Sequence, residues 1–493
     1  MATDAFTEQP AQERAVSERS RWLALAVIGI GFAAVVTALT AINVALPSAQ
    51  LAMHFTTADR QWVVTAYTLA FGSLLLAGGK LVDLLGQKTT FLAGLLGFAA
   101  VSALGGASVD FGMLVAGRAF QGAFAALLVP SAISLLSTTF TDPRERARAF
   151  GIFGAIATAG GAVGLLIGGA LTEYLSWRWT LYVNVVFAGV AFVGGALVLD
   201  RRPTPSRPRL DVPGVLLSSA GMFSLVYGFG SAATHGWGDP STWGFLVAGI
   251  ALLTLFALWM GRAANPLLPP RVVLNRNRAG AYVAVFFASF CMFATFFLLT
   301  YYLQGTLDFS PVTAGLAFLP MSAGLVLASN LSTIVLLPRV GPRPLTPVGL
   351  AIAAGGTAWL AQLGPHTGYA EGVLGPLVLI GLGLGSVIAP SINVGTYGVA
   401  PQDAGAASAT VTVGQQLGAS ISTSLLNTIF ATAVTSYLVT HAFAGRAGNA
   451  LALANGYDTA VWWTALIAAG GAVVAALLFR SGPLSRPTSS LRR

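Results

Sequence analysis

Long apolar stretches alternate with short polar segments along almost the whole chain. A helix needs about 20 mostly apolar residues to cross roughly 30 Å of hydrocarbon, and fourteen stretches are of about that length. We therefore predict an all-α membrane protein with about fourteen transmembrane helices. The predicted spans are residues 22–46, 61–79, 90–108, 112–136, 148–171, 179–199, 212–233, 242–260, 279–303, 312–337, 344–363, 372–395, 406–437 and 459–479.

The positions of the basic residues favour one orientation of these spans. With the N-terminus in the cytoplasm, 22 of the 26 Lys and Arg residues fall in inner loops or the two tails, counting Arg148 at the border of its span with the inner loop. Three fall outside, at Arg60, Arg178 and Arg446, and Arg118 falls inside a span. Since inner loops are enriched in Lys and Arg, this asymmetry predicts that both termini are cytoplasmic. We expect a multi-pass protein of a bacterial cytoplasmic (inner) membrane, and the net charge of +9 requires no nucleic-acid partner.

Two polar connections divide the spans into three sets. Residues 200–211 are rich in Pro and Arg, and residues 261–278 form a second basic connection. Six spans, then two, then six suggest internal duplication, so we expect two six-helix bundles related by pseudo-two-fold symmetry plus two extra central helices. The predicted segments are a cytoplasmic tail (1–21), a first bundle (22–199), a linker (200–211), two extra helices (212–260), a second linker (261–278), a second bundle (279–480) and a cytoplasmic tail (481–493).

Composition excludes several other classes of protein. Only 9% of the residues are charged, against about a quarter in soluble domains. The single cysteine, Cys291, excludes a disulfide framework within the chain and a cysteine metal site. The sequence contains no G-x-x-x-x-G-K-[ST] nucleotide loop and no H-E-x-x-H metal motif. We therefore expect no enzyme activity, no cofactor and no metal.

Several short motifs fall on particular predicted spans and loops. Gly79–Lys88 reads GKLVDLLGQK, and Ala116–Gly122 reads AGRAFQG. They resemble motifs A and B of the major facilitator superfamily, and the chain is similar to its fourteen-spanner drug:proton antiporter branch. The resemblance implies alternating access, with a small-molecule substrate, protons and the lipid bilayer as partners, and we expect a monomer. Further similar segments are Asn43–Pro47, Gln61–Tyr67, Trp177–Asn184, Tyr302–Gln304, Ser310–Gly315 and Pro401–Ser408.

The loop after the second span is a candidate conformational latch. Asp83 is the acid between Lys80 and Lys88, and a nearby Arg or a positive helix end can pair with it. Gly79 and Gly86 allow close backbone approach and a tight turn. A pairing that forms only when the inner side is shut would bias the equilibrium between inward-open and outward-open states. The alternative is a loop whose charges, including Lys88, only keep it in the cytoplasm.

Arg118 is the basic residue inside a predicted span. A charge at mid-bilayer costs from about 2.5 to more than 10 kcal/mol, so its guanidinium must face a wet cavity or hydrogen-bond acceptors. The resemblance implies a role in the path of protons and substrate, through a cavity to which we also assign Gln121 and Asn43. The alternative is a structural arginine, held by backbone carbonyls and Gln121, that fixes its span against the first one.

The first span lacks an acid that the resemblance predicts. The branch has the pattern L-D-x-T ahead of N-V-A-L-P, and Ala38 stands at the position of the Asp. No predicted span contains Asp or Glu. Proton antiport is thus implied by the resemblance, but the spans offer no proton carrier. The same absence disfavours a dicationic or polycationic substrate.

Two stripes of residues at helical spacing have simple explanations. Gly161, Gly164 and Gly168 lie on one face of the fifth span, where small residues let helices pack closely. The ninth span carries a Phe stripe, which we interpret as lipid-facing or interhelical packing. Its members are Phe286, Phe290, Phe293 and Phe297, with Tyr301 and Tyr302 near the outer end.

These observations predict a secondary active transporter that uses a gradient to export small lipophilic compounds, such as drugs, antibiotics or natural products. The alternative is an importer or exchanger of a polar or anionic metabolite, with coupling other than a helix 1 carboxylate. That alternative predicts more buried polar groups than the spans provide, which are mainly Asn43, Gln121, Gln415, Gln416 and Asn427.

Overall fold

The computed structural model describes residues 18–56, 59–140, 142–200, 211–263, 266–364, 367–399, 403–441 and 446–480. Within these ranges all regular secondary structure is helical. Twelve helical segments there are long and apolar enough to cross a membrane. The prediction of an all-α protein with many membrane-spanning helices is confirmed.

The helices are numbered in chain order. The first six are α1 (Glu18–Met53), α2 (Gln61–Leu85), α3 (Gln87–Gly106), α4 (Phe111–Thr139), α5 (Pro143–Tyr174) and α6 (Trp179–Val198). They are followed by α7 (Val212–His235), α8 (Pro240–Met260) and the short α9 (Pro270–Val273). The others are α10 (Arg276–Gly305), α11 (Pro311–Ala317), α12 (Leu319–Leu331), α13 (Leu337–Val340), α14 (Pro342–Leu360), α15 (Leu374–Thr396), α16 (Ala404–Thr440) and α17 (Arg446–Leu478), with π-helical turns at Ser332–Leu336 and Tyr369–Val373.

Polar side chains cap the starts of several helices and so fix where each begins. The carboxylate of Asp110 accepts a hydrogen bond from a backbone N–H in the first turn of α4, at 2.8 Å. Asp211 does the same for α7 at 3.0 Å, and Asn275 accepts two such bonds at the start of α10. These caps satisfy backbone donors that the helix itself leaves without partners.

Two predicted spans fall on helices that are not among the twelve segments. Residues 148–171 lie in α5 and residues 344–363 largely coincide with α14. Helix α14 begins with a turn that contains Pro and Arg and continues with many small residues, which lowers its mean hydropathy. In α5, the side chains of several residues lie outside the described part of the chain. The predicted span 312–337 is interrupted between α11 and α12, where Pro320 has no N–H to continue the helix.

The turns after α2 and after α13 have nearly the same geometry. Gly86 has φ +87° and ψ 151°, and Gly341 has φ +76° and ψ 176°. Each glycine N–H donates to the carbonyl four residues earlier, at 3.0 Å and 3.1 Å. A residue with a side chain is strained at such angles, so both turns require glycine.

The long helices pack in two groups. Helices α1 to α6 pack against one another and form the first group, and α10 to α17 form the second group. The pair α7 and α8 touches the first group through α2 and the second group through α16. Most of the predicted linker 200–211 lies outside the described residues, as do residues 1–17 and the tail 481–493. The second predicted linker contains α9.

The two ends of the helix bundle are named by the course of α1. It begins at the proximal end and finishes at the distal end with Met53. Arg60, just before α2, packs against Tyr301 near the end of α10, so both lie at the distal end. Asp403, at the start of α16, lies at the proximal end with Arg271.

Candidate functional site

Arg118 lies where three helices of the first group meet, and only 1% of its surface is exposed. Its Nε donates to the carbonyl of Val63 in α2 at 2.9 Å, and its Nη1 donates to the carbonyl of Ala38 in α1 at 3.2 Å. Its Cζ lies 4.4 Å from the centre of the Tyr67 ring. Arg118 therefore ties α4 to both α1 and α2. Its Nη2 has no hydrogen-bond partner among the described residues.

Gln121 extends this network to a fourth helix. Arg118 Nη1 also donates to Gln121 Oε1 at 2.5 Å, and Gln121 Nε2 donates to Ser102 Oγ at 2.7 Å. The Ser102 hydroxyl donates to the carbonyl of Phe98 in α3 at 2.6 Å. The hydrogen-bond partners of Arg118 are thus those of the structural alternative, backbone carbonyls and Gln121. Its Nη2, which has no partner among the described residues, keeps two N–H donors for a water or ligand.

Asn43 is buried but separate from this network. Its Nδ2 donates to the carbonyls of Leu39 and Thr40 on its own helix, at 2.9 Å and 3.4 Å. Its Oδ1 has no partner among the described residues. The structure therefore places Arg118 and Gln121 in one hydrogen-bond network, whereas the hydrogen bonds of Asn43 among the described residues stay within its own helix.

The residues of the candidate latch are only partly described. The side chain of Asp83 lies outside the described residues. Lys88 Nζ donates to the carbonyls of Ala196 at 2.9 Å and Leu199 at 2.5 Å, at the end of α6, where a helix terminus favours a cation. Gly86 forms the tight turn, whereas a Cβ on Gly79 would meet no atom within 4 Å. The close approach expected of Gly79 is therefore not seen in this conformation.

The predicted glycine stripe lies against α1. A Cβ on Gly168 would come within 2.6 Å of Ala41 Cα, and a Cβ on Gly164 would come within 3.2 Å of Thr37 Cα. At Gly161 the nearest atom, a Thr40 methyl carbon, is 4.0 Å away. Close packing of α5 on α1 thus depends on Gly164 and Gly168 and not on Gly161.

Arg60 was predicted to lie in a loop, but its side chain is 2% exposed and inserts between the two helix groups. Its Nε donates to Asn427 Oδ1 of α16 at 2.8 Å. Its Cζ lies 4.0 Å from the ring centre of Tyr301, 4.9 Å from that of Phe297 and 4.7 Å from that of Phe430. We call Phe297, Tyr301, Phe430 and Asn427 the aromatic cage. All four belong to the second group, whereas Arg60 belongs to the first.

Further hydrogen bonds join the two groups around Arg60. Side-chain hydroxyls of α2 meet those of α16, and residues near the end of α1 bond to residues near the end of α10. All of these contacts lie in the distal half of the bundle, and we call them together with Arg60 the distal seal. Its pairs are Arg60–Asn427, Thr65–Thr423 (2.8 Å), Thr65–Ser424 (3.3 Å), Thr68–Ser420 (2.5 Å), Gln50–Tyr301 (3.0 Å), Val44–Gln304 (2.8 Å) and Glu173–Val312 (3.0 Å).

Comparison with known proteins gives the family of this helical bundle. The sequence profile of the Major Facilitator Superfamily matches residues 27–423. The chain belongs to the major facilitator superfamily. It is 46% identical over 443 residues to the puromycin resistance protein pur8 of Streptomyces alboniger, covering 90% of this chain and 88% of that protein. It is 39% identical over 391 residues to the cephamycin export protein CmcT of Amycolatopsis lactamdurans, covering 79% and 80%.

Solved structures agree on the fold of this major facilitator. A bacterial homologue of the human lysosomal transporter Spinster, in an inward-facing and unoccupied conformation, superimposes with a TM-score of 0.64. The match covers 95% of this chain and 98% of that one at 15% identity. The protein is thus a multi-pass membrane transporter for small molecules, and this is a non-enzymatic family.

Two helical segments of this major facilitator extend beyond the predicted spans and include an acid. The candidate segment Tyr369–Thr396 contains Glu371, which is exposed near its distal end. The segment Leu451–Leu478 contains Asp458, which is half-buried. The sequence pattern placed Asp458 one residue outside a span because α17 extends beyond the purely apolar stretch.

Asp458 borders a small cavity inside the second group. The cavity lies between α10, α14 and α17, its exposed lining is mainly apolar, and its volume of about 20 Å³ is far too small for a drug. Polar groups in its lining besides Asp458 are Thr295, Tyr302, Thr357, Tyr457 and Thr464.

The cage of this transporter was missed because the sequence gives each of its parts a simpler explanation. An isolated Arg before a span is typical of a charged residue in a loop, and a Phe stripe in a membrane helix is typical of lipid-facing or interhelical packing. Phe290, Phe293 and Phe297 are indeed buried in the bundle. Phe297 differs from the other two because Arg60, a cation from the other helix group, lies over its ring. This contact joins residues far apart in the sequence, so it can be seen only in the folded structure.

Proposed function

We propose that this protein exports small lipophilic compounds, of the kind produced as antibiotics and natural products, across the cytoplasmic membrane by alternating access. The observation that carries the proposal is the extent of similarity to the puromycin resistance protein, 46% identity over 90% of the chain. The cephamycin export protein supports the same direction of transport. The few buried amides and the scarcity of charges in the spans suit a lipophilic substrate.

The distal seal supports alternating access between two moving halves. Each half packs on itself, and the bonds between the halves include small hydroxyl and amide contacts that can break and reform as the helices rock. In our proposal the first group (22–199) and the second group (279–480) are the two bundles. The seal closes the pathway at the distal end in the conformation seen here.

Fourteen helices cross the membrane in this proposal, and the two bundles are related by pseudo-two-fold symmetry. The helices α5 and α14 lie at the positions of two predicted spans, which supports the count of fourteen. The similar turns at Gly86 and Gly341 support the symmetry. The basic residues then put the proximal end and both tails in the cytoplasm. The distal end faces outward, and the transporter works as a monomer.

Reporter fusions test this orientation. A fluorescent protein fused after residue 205 or after residue 485 should fold in the cytoplasm, and alkaline phosphatase at the same points should be inactive. Fusion after Gly238, between α7 and α8, is the matched control and should give the reverse pattern. Phosphatase activity at either 205 or 485 would contradict the fourteen-helix topology.

We assign Arg118 and Gln121 the task of holding the first group together beside the pathway. Arg118 clamps the first turn of α2 through Val63, and Arg60 of the seal directly precedes α2. Asn43 contributes a buried amide oxygen that has no partner in the described part of the chain and is available to a substrate or water. Asp83 serves as a proximal latch together with the turn at Gly86.

Protons drive export in this proposal, and Asp458 is the membrane-embedded acid that exchanges them. Ionisable groups within spans are rare and usually functional, and Asp458 lies half-buried beside a small cavity inside the second group. A helix 1 carboxylate is not needed if α17 supplies the acid.

Export is tested with purified full-length protein in liposomes. A suitable probe is puromycin enclosed in liposomes in which the proximal end of the protein faces the lumen. Its movement is followed with an imposed pH gradient and again after an uncoupler has collapsed that gradient. We expect gradient-dependent movement toward the distal side of the protein. Liposomes that move no puromycin or related antibiotic but exchange a polar or anionic metabolite would support the alternative function.

A further inference from the structure

We propose that the aromatic cage is a binding site for a single organic cation on the substrate, and that Arg60 occupies this site when the distal side is closed. The inference deepens the proposed function, on which it rests, because it assigns a substrate class to a defined site. Compounds with one protonated amine or one quaternary nitrogen on a lipophilic body fit it.

The first step is the chemistry of the cage. Three rings lie 4.0 to 4.9 Å from the Arg60 carbon, within the range of a cation–π interaction, and an amide oxygen accepts its N–H. Among the described residues, no carboxylate forms a salt bridge with Arg60. The site therefore stabilises a buried monovalent cation by ring faces, by the Asn427 amide oxygen and by the hydroxyls of Tyr301 and Tyr457, which also interact with Arg60.

The second step is the location of the cage residues in the fold. Phe297 and Tyr301 are on α10, and Asn427 and Phe430 are on α16, two helices that pack directly against each other. Tyr457 of α17, also in the second group, adjoins the cage, with its ring 4.9 Å from that of Phe430 and its hydroxyl hydrogen-bonded to Arg60. The cage thus belongs to one helix group and persists when that group moves as a unit.

The third step is what happens when the distal side opens. Arg60 is the cation that comes from the other group, so separation of the groups withdraws it and turns the cage toward the opening cleft. An empty cage of three ring faces then meets the substrate on its way out. Return of Arg60 displaces the substrate cation and closes the distal side, which gives release a direction.

The experiment measures binding, so it does not depend on export. Tetraphenylphosphonium, a permanent lipophilic cation, is titrated into purified full-length protein in detergent by calorimetry, and triphenylphosphine oxide is the neutral probe of similar shape. We expect Arg60→Ala to bind the cation about five- to thirty-fold more tightly than wild type, the range that a desolvated cation–π contact provides. Affinity for the neutral probe should not change.

Matched variants separate the cage from a general effect of charge. Adding Tyr301→Leu to Arg60→Ala should abolish the gain, whereas adding Phe296→Leu should preserve it, because Phe296 packs on Phe318 outside the cage. Arg178→Ala removes another distal arginine, one that stacks on Trp177, and should bind like wild type. If Arg60→Ala does not fold, Arg60→Gln, which keeps a donor for Asn427, replaces it.

Three results would overturn the inference. They are an unchanged affinity when Arg60 is replaced, an equal gain in Arg178→Ala, and a gain that survives Tyr301→Leu. If the wild-type protein exports puromycin, any of these results contradicts the cation site but not the proposed export function. Conversely, a cage-dependent gain in a protein that exports nothing would contradict the proposed function alone.

Discussion

The Nε atom of Arg118 lies 2.9 Å from the carbonyl oxygen of Val63, in the first turn of α2. Arg60, which inserts into the other helix group, directly precedes that helix. One buried arginine therefore fixes the backbone from which a second one reaches across the interface. This relationship links the core of the first group to the distal seal.

Replacing Arg118 should impair transport even when the positive charge is kept. Lysine lacks the planar guanidinium with its five N–H donors. In Arg118→Lys, the ammonium group can therefore donate to only some of the three acceptors, which belong to Val63, Ala38 and Gln121. We expect at least a ten-fold loss of efflux at near-normal abundance for Arg118→Lys, and greater loss for Arg118→Ala. Efflux and membrane abundance are measured side by side in a pump-deficient host. Normal efflux in Arg118→Ala would remove Arg118 from the mechanism.

An acid at position 38 should change which substrates are preferred. The Ala38 carbonyl already accepts from Arg118, and the residue is buried. A carboxylate there would pair with Arg118 or with a substrate cation, so Ala38→Asp should raise the ratio of cationic to neutral dye efflux. Ala38→Asn, which has the same shape without charge, is the control and should leave the ratio unchanged. Equal ratios in the two variants would contradict this expectation.

Two glycines of one stripe should respond differently to the same change. A Cβ on Gly168 would come within 2.6 Å of the α1 backbone, whereas on Gly161 the nearest atom is 4.0 Å away. Gly168→Ala should therefore destabilise the protein by about 1–3 kcal/mol through overpacking, and Gly161→Ala should have little effect. Thermal unfolding in detergent, followed by loss of monodisperse protein, distinguishes them. Equal melting temperatures would show that α1 and α5 adjust freely.

The sequence predicts the helices well because each one must satisfy its own backbone in lipid. The positions of α1 to α4 follow directly from apolar length, and the glycine stripe follows from helical spacing. Contacts between distant helices are poorly predicted from the sequence. Arg60 and Phe297, for example, are more than 200 residues apart, and no local pattern relates them. Asp458 was missed for a different reason, because α17 continues past the apolar stretch into residues 451–458.

The ion pair between Arg271 and Asp403 should make stability depend on pH. Arg271 Nε lies 2.6 Å from the Asp403 carboxylate, and this hydrogen bond holds the pKa of Asp403 below its usual value. A lowered folded-state pKa means that the contribution to stability is present above about pH 4 and is lost as the pH falls through the folded-state pKa. Asp403→Asn should lower the melting temperature at pH 7, and this difference from wild type should shrink steadily as the pH falls below about 4. Glu371→Gln, at an exposed acid, is the control, and a pH-independent effect of Asp403→Asn would contradict the prediction.

The final prediction concerns Asp458 and the energy source. Of the two acids in the candidate spans, Glu371 is exposed near the distal end, whereas Asp458 is half-buried beside a small cavity. If Asp458 exchanges the driving proton, Asp458→Asn should abolish antibiotic movement driven by a pH gradient in liposomes. Exchange of labelled against unlabelled antibiotic, which needs no net proton movement, should continue in this variant. Glu371→Gln should leave both activities at the wild-type level. A structural role for Asp458 predicts loss of both activities together, and full gradient-driven transport in Asp458→Asn would place the proton carrier elsewhere in the chain.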